Sequence, residues 1–231
     1  MSEYRSNISA SPTTQTQVAR NRVLRNTYWL LTLSMIPTII GAFLGLSLNI
    51  GAAMSTSPGM SLIVFFAGAF GLMFLVEKNK NSSLGVVFLL AFTFFMGVML
   101  SRILGFVLGF QNGAQLIMFA FGGTGAVFFT MASIASTTKR DFSNMQRFLL
   151  TGLVILIVAL VANVFLQIPA LMLTISVLAI AIFSAFLLVD LQRIINGGET
   201  NYISATLALY LSLYNIFSNL LALLGIFGGQ D

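Results

Sequence analysis

Seven separate runs of apolar residues, most of them close to 20 residues long, divide this chain of 231 residues. A hydrocarbon core about 30 Å thick is crossed by about 20 apolar residues in helical conformation. Backbone groups inside a bilayer must bond to one another, and the chain lacks the alternating ten-residue pattern of a membrane barrel. The sequence therefore predicts an all-α polytopic membrane protein, a bundle of seven transmembrane helices. The predicted spans are residues 27–48, 60–76, 84–108, 114–136, 148–167, 170–189 and 203–227.

The composition excludes several classes of function. Hydrophobic residues make up 58% of the chain and charged residues only 7%, whereas soluble domains carry about 25% charged residues. With no cysteine and no histidine, disulfides, thiolate metal sites and imidazole bases are excluded. We therefore expect no cofactor and no bound metal, and we attribute the net charge of +5 to membrane topology rather than to nucleic-acid binding.

The basic residues indicate which way the bundle faces. Ten of the 11 lie in the N-terminal segment or in the loops near residues 77–83, 137–147 and 190–202, which seven spans place on one side. By the positive-inside rule, the N-terminus is cytoplasmic and the C-terminus is periplasmic. The ten are Arg5, Arg20, Arg22, Arg25, Lys78, Lys80, Lys139, Arg140, Arg147 and Arg193. The exception, Arg102, lies near the outer end of the third span, where it either snorkels to the interface or belongs to an ion path.

The polar N-terminal segment and the short loops predict further features. Residues 1–26 hold little apolar surface to bury and are predicted to be a disordered cytoplasmic tail, which leaves residues 27–231 as the transmembrane domain. The short link at residues 167–169 predicts a tight helical hairpin. Gly197 and Gly198 are typical of a helix C-terminus. Two pairs with small-xxx-small spacing, Gly41 with Gly45 and Gly105 with Gly109, favour close helix packing.

The last span carries two faces at helical spacing. Small and amide residues form one stripe, and aliphatic residues form the opposite stripe. We expect the polar stripe to face protein or a water-filled cavity and the aliphatic stripe to be free to face lipid, with the helix at the inside of the bundle. The polar stripe is Ala208, Ser212, Asn215, Asn219 and Ala222, and the aliphatic stripe is Leu209, Leu213, Ile216, Leu220 and Leu224.

Asp190 is the one acidic residue flanked by a long apolar run. A charge at the centre of a membrane helix costs about 2.5 to 3.5 kcal/mol on insertion scales. One interpretation pairs Asp190 with Arg193, one turn further on, at the cytoplasmic end of the sixth span. The other places Asp190 against the polar stripe of the last span, where it would act as a proton-sensitive latch or a cation ligand. The residues alone leave both open.

Catalysis is not expected. Intramembrane aspartyl proteolysis needs two membrane carboxylates that share a proton, and Asp190 alone is suitably placed. Serine proteolysis needs a base, and the chain has no histidine. We therefore predict that the protein is not an enzyme.

Six stretches along nearly the whole chain carry a family resemblance. They read RNTYWLL at residues 25–31, GLMFL at 71–75, GGTGAVFF at 122–129, VANVFLQIPAL at 161–171, INGGETNYISAT at 195–206 and LYNIF at 213–217. With these stretches the chain resembles the Bax inhibitor, or TMBIM, superfamily of seven-helix membrane proteins, and within it the bacterial YccA branch, modulators of the membrane protease FtsH. The resemblance implies a bacterial inner-membrane protein that binds FtsH and limits its degradation of other membrane proteins. The polar N-terminal segment would then be the flexible handle that the protease grips.

The resemblance also implies an alternative. Calcium-leak members of the superfamily use two aspartates as a pH-sensitive latch, and Asp190 matches the first of them. The second position falls on Ser212, which cannot share a proton with Asp190 as a carboxylate would. A pH-sensitive cation leak is therefore the alternative function, with Asn215 and Asn219 as pore-lining groups and Arg193 beside Asp190.

Overall fold

The computed structural model describes residues 12–142 and 144–228, and it is a bundle of helices. Seven of the eight helices in the described residues are long and apolar enough to cross a membrane, and no strand occurs in these ranges. The prediction of an all-α bundle with seven spans is confirmed, and the added α2 lies in the predicted loop at residues 49–59. The helices are α1 (Pro12–Ser47), α2 (Ile50–Thr56), α3 (Pro58–Lys78), α4 (Ser83–Leu108), α5 (Gly113–Thr137), α6 (Met145–Leu166), α7 (Pro169–Ile195) and α8 (Tyr202–Gly228).

The first helix is longer than its apolar run. It begins at Pro12, so residues 12–26 are helical. Their polar composition had instead predicted a disordered segment. Proline is favoured at the first helical position, and neither glycine nor proline interrupts the sequence from there to Pro37. Helix propagation outward from an already packed segment adds one hydrogen bond for each residue fixed, so a polar extension can stay helical. Residues 1–11 lie outside the described residues.

The last helix, α8, occupies the centre of the bundle, as predicted. It packs against α7, α5, α1 and α4. The expectation that its aliphatic stripe can face lipid is wrong, because Leu209 and Ile216 are both 0% exposed. Leu213, Leu220 and Leu224 are half-buried, so the neighbouring helices cover much of this stripe, whatever the order of polar and apolar residues along it.

Two tyrosines of α8 connect it to the helices around it. The Tyr210 hydroxyl lies 2.9 Å from the hydroxyl of Thr38 on α1 and donates to the Thr93 carbonyl of α4 at 3.4 Å. The Tyr214 hydroxyl donates to the Met96 carbonyl of α4 at 3.1 Å. Buried hydroxyls need partners in an apolar environment, so these bonds set the height of α8 relative to α1 and α4.

Close contact between α1 and α4 depends on glycine. A Cβ added at Gly41 would collide with the Phe94 carbonyl, and one added at Gly97 would collide with the Thr38 carbonyl. At Gly45 the added atom would meet Ser101 at 2.5 Å. Packing at the first predicted glycine pair is thus confirmed. The prediction of close helix packing is wrong for the second pair, Gly105 and Gly109. A Cβ added at Gly105 would lie 3.4 Å from the Leu46 side chain, which is an ordinary contact.

Both predicted turns are present. α6 and α7 pack as a hairpin, with Gln167 in the left-handed region at φ 52° and the Asn163 side-chain oxygen accepting the Ile168 N–H at 3.0 Å. At the end of α7, Gly197 has φ 78°. The Gly198 N–H bonds to the Arg193 carbonyl at 2.8 Å, and the Gly197 N–H bonds to the Ile194 carbonyl at 3.2 Å. These two bonds form a Schellman motif.

The connections define two ends of the bundle. The basic end holds the start of α1 and the loops at residues 79–82, 138–144 and 196–201. The far end holds the loops at residues 48–57, 109–112 and 167–168. Between the ends, the outer surface is strongly apolar, and aromatic residues such as Phe148 and Phe165 are 78% and 75% exposed. Large exposed apolar side chains on every outer helix are typical of a surface that faces lipid.

Candidate functional site

Asp190 and Arg193 lie near the basic end of α7 and do not form the predicted ion pair. Arg193 pairs instead with Glu199, at 3.5 Å between its guanidinium and the carboxylate. A second ion pair joins Lys80 to Glu77. Asp190 takes part in neither of these two pairs and is half-buried. A half-buried carboxylate without an ion pair is a candidate for proton or cation binding, and that role of Asp190 remains a prediction.

The loop between α7 and α8 is fastened by two polar side chains. One oxygen of Glu199 accepts the backbone N–H groups of Thr200 at 3.0 Å and Asn201 at 2.9 Å. The Asn201 side-chain oxygen caps α8 by accepting the N–H of Ile203 at 2.9 Å. Its amide group donates to the Lys80 carbonyl in the loop after α3, at 2.9 Å. Asn201 therefore acts both as the N-cap of α8 and as a tie between two loops.

A second tie holds the loop between α5 and α6. The Gln192 side chain of α7 is 4% exposed. Its oxygen accepts the Phe142 N–H at 3.0 Å, and its amide group donates to the Arg140 carbonyl. We call Gln192, Glu199 and Asn201 the loop clamp, because together they fasten the three loops of the basic end.

Sequence reasoning did not identify the loop clamp. For Asn201 a signal existed, since asparagine directly before an apolar run is typical of a helix N-cap. For Gln192 there was none, because its partners lie 50 and 52 positions away along the chain. A side chain that bonds to backbone groups so distant can be recognised only once the helices are assembled.

The polar residues of α8 lie further along the bundle. Ser212 is 2% exposed. The Asn215 amide group donates to the Leu211 carbonyl at 2.9 Å, and that of Asn219 donates to the Asn215 carbonyl at 2.8 Å. Each bond uses one of the two N–H donors of its amide group and leaves the second donor and the side-chain oxygen for other partners.

Asn215 and Asn219 line a cavity of about 610 Å³, which we call the far-end cavity. A second cavity of about 920 Å³ adjoins it and shares its walls near Arg102. The lining on α7 reaches no further toward the basic end than Phe183. Asp190 is seven residues, or about 10 Å, beyond Phe183, and the fully buried Leu187 lies between them in sequence. The structure thus leaves Asp190 and Arg193 at the basic end and places Asn215 and Asn219 at a separate cavity.

The sequence of this chain is similar to one protein family and to several bacterial proteins. The family described as "Inhibitor of apoptosis-promoting Bax1" matches residues 20–229. The chain is 42% identical over 224 residues to the "Modulator of FtsH protease YccA" of Escherichia coli K12, covering 97% of this chain and 98% of that protein. An "Inner membrane protein YccA" of Escherichia coli O6:H1 matches equally, at 42%. A protein of Neisseria meningitidis serogroup A is 43% identical over 93% of this chain and 95% of its own length.

Proposed function

Because this chain belongs to the Bax inhibitor family and is 42% identical to an FtsH modulator over 97% of its length, we propose that it binds an FtsH-type protease and limits degradation of other membrane proteins. The end-to-end similarity is the observation that carries the proposal. The family and the name of that relative indicate a regulator rather than an enzyme. A relative named as an inner-membrane protein agrees with the seven helices here that are long and apolar enough to cross a membrane. We propose the bacterial inner membrane as its location, with the N-terminus cytoplasmic and the C-terminus periplasmic.

The loop clamp supports a role as a slow, competing substrate. A protease that pulls on membrane proteins needs a loose segment to engage, and local opening is most frequent where backbone bonds are exposed and contacts are few. At the basic end, Asn201 and Gln192 hold the loops that would otherwise offer such a segment. In this proposal the polar N-terminal segment, which precedes the first span, is the handle that the protease grips. A protein that is gripped there but resists unfolding would occupy the protease and delay its other substrates.

Co-purification and substrate lifetime together test the proposal. The full chain is isolated in mild detergent from bacterial membranes that contain an inactive FtsH able to bind but not to cleave. The half-life of an unstable membrane substrate is then measured with the chain absent, at native level and in excess. We expect FtsH to accompany the chain and the substrate half-life to increase with its amount. Absence of both association and protection would contradict the proposal.

The second candidate function, a pH-sensitive cation leak, is favoured by one observation. Asp190 is half-buried and takes part in neither the Lys80–Glu77 pair nor the Arg193–Glu199 pair. The chain in liposomes would then pass calcium or another cation in a pH-dependent way, and Asp190→Asn would change that flux. Glu77→Gln removes a carboxylate from the same end of the bundle and serves as the control. Flux that is absent at every pH, or that both variants leave unchanged, would exclude this function.

A further inference from the structure

The far-end cavity has walls suited to an acyl chain. Its sides are formed by α3, with Leu62 and Phe65, and by α6, with Leu156 and Leu160. Within the described residues, α6 packs substantially against α7 alone, and α3 packs chiefly on α4. Since α3 and α6 do not pack closely on one another, the cavity opens between them toward the surrounding membrane. Its volume of about 610 Å³ falls in the range of small-molecule sites.

The apolar walls of the two adjoining cavities include one positively charged residue, Arg102. Arg102 lines both adjoining cavities and is the only charged residue among the described residues that do so. Throughout residues 12–142 and 144–228, no carboxylate lies within 4 Å of its guanidinium. It is six residues, or about 9 Å, from the end of α4, a depth from which an arginine side chain reaches the headgroup level. A guanidinium offers two parallel N–H donors that match the oxygens of a phosphate.

The neutral polar groups nearby indicate which headgroup fits. Asn163 and Gln167 line the cavity near the far end, and the Asn163 oxygen is used by the Ile168 N–H while its amide group can donate elsewhere. Amide groups can bond to the hydroxyls of a glycerol headgroup. An ammonium headgroup would find no carboxylate among the described lining residues and would be repelled by Arg102. Charge and hydrogen bonding therefore both favour a phospholipid with net negative charge.

We propose that the far-end cavity binds one anionic phospholipid, with its phosphate on Arg102 and an acyl chain between α3 and α6. The site is separate from the loop clamp and from Asp190, and the proposal does not depend on the function proposed above. Arg102, considered in the sequence as a snorkelling residue or part of an ion path, thereby becomes the headgroup ligand.

Native mass spectrometry of the full chain in detergent tests the site. Phosphatidylglycerol and phosphatidylethanolamine with identical acyl chains are added in turn, and the bound fraction is measured. We expect one phosphatidylglycerol to bind with at least about tenfold preference, and Arg102→Gln to remove that preference, since a charge-assisted hydrogen-bonded pair is lost. Arg22→Gln, which removes one exposed positive charge at the basic end, should leave it unchanged. Thermal unfolding of each variant is followed in parallel to establish that it is folded.

Three results would overturn the proposal. The first is equal binding of the two lipids by the unmodified chain. The second is an equal loss in Arg22→Gln and Arg102→Gln. The third is displacement of the lipid by millimolar inorganic phosphate, which would make the site one for a free anion.

A pair of wall variants tests the acyl chain. Leu160 lines the cavity, whereas Leu150, on the same helix, is 48% exposed on the outer surface. We expect Leu160→Trp to fill the gap and lower phosphatidylglycerol binding several-fold, while Leu150→Trp leaves it unchanged. Identical binding by the two folded variants would overturn the placement of the chain between α3 and α6.

Discussion

The side-chain amide of Asn201 donates a hydrogen bond of 2.9 Å to the backbone carbonyl of Lys80, 121 positions earlier in the chain. This bond joins the loop that precedes the central helix α8 to the loop between α3 and α4. The Asn201 oxygen at the same time caps α8. One side chain therefore couples the start of the central helix to the periphery of the bundle.

Replacing Asn201 by alanine should destabilise the bundle by about 2 kcal/mol, because it removes an N-cap and a tie between loops. Thermal unfolding in detergent measures the change. Thr200→Ala, at the neighbouring exposed position, leaves the backbone bonds of the turn intact and should behave as the unmodified chain. If the chain is a slow substrate of FtsH, Asn201→Ala should also be degraded faster. Equal stability of the two variants would show that the hydrogen bond between Asn201 and the Lys80 carbonyl does not stabilise the bundle.

Gly97→Ala should destabilise the contact between α1 and α4 by roughly 1 to 3 kcal/mol, the usual cost of overpacking. The added methyl group would collide with the backbone carbonyl of Thr38, which cannot move without shifting α1. Gly122→Ala adds the same group where nothing lies within 4 Å and should be neutral or slightly stabilising. Unfolding of both variants by titration with a denaturing detergent distinguishes them, and equal midpoints would contradict the packing argument.

Tyr210→Phe should lower stability by about 1 kcal/mol, in line with hydrogen bonds between membrane helices. The change removes the hydroxyl that contacts Thr38 and the Thr93 carbonyl and keeps the ring packing. Tyr202→Phe, at the start of α8, is the control, because the Tyr202 hydroxyl has no hydrogen-bond partner within residues 12–142 and 144–228. A thermal shift no larger for Tyr210→Phe than for this control would argue against the tie between α8 and α1.

Deletion of residues 2–11 should slow turnover of the chain by FtsH, because the protease would lose the segment by which it begins to pull. Pulse-chase labelling in cells with and without FtsH measures the half-life. A glycine and serine stretch of equal length in place of residues 2–11 should restore turnover, because such a stretch is a flexible coil and the proposed grip requires a flexible segment rather than a particular sequence. Unchanged turnover after the deletion would show that the protease engages the chain elsewhere.

Orientation can be measured with reporters fused to the two termini. We expect a reporter that is active only in the cytoplasm to work at the N-terminus, and one that is active only in the periplasm to work at the C-terminus. The reason is that ten of the 11 basic residues lie in the N-terminal segment or in loops on the same side of the membrane. Moving this charge bias to the opposite loops should weaken the preference. The reverse pattern in the unmodified chain would contradict the assignment.

Several features followed from local sequence because their physical causes are local. Each membrane span is a continuous run of apolar residues, and the bilayer requires each run to satisfy its own backbone as a helix. The end of α7 at Gly197 and the hairpin at Gln167 likewise depend on a few adjacent residues. Burial of α8 could be anticipated from its small and amide residues, which are unfavourable against lipid.

Other features could not be predicted because they depend on which helices become neighbours. One of the two interpretations paired Arg193 with Asp190, one turn away, yet the turn after α7 brings Glu199 to Arg193 instead. The aliphatic stripe of α8 reads as a lipid-facing surface until other helices surround it. The helical state of residues 12–26 comes from propagation out of a packed segment and not from their own composition.

The sequence by itself determined that this protein crosses a membrane seven times and which of its loops carry positive charge, since hydrophobic length and charge are properties of the chain. Only the tertiary structure decided which side chains meet. Gln192 and Asn201 hold backbone groups 50 to 121 positions away, and Arg102 lines the same cavity as residues of α6, α7 and α8. These contacts depend on which helices are neighbours in the bundle, and neither the hydrophobic periodicity nor the composition of the sequence specifies those neighbours.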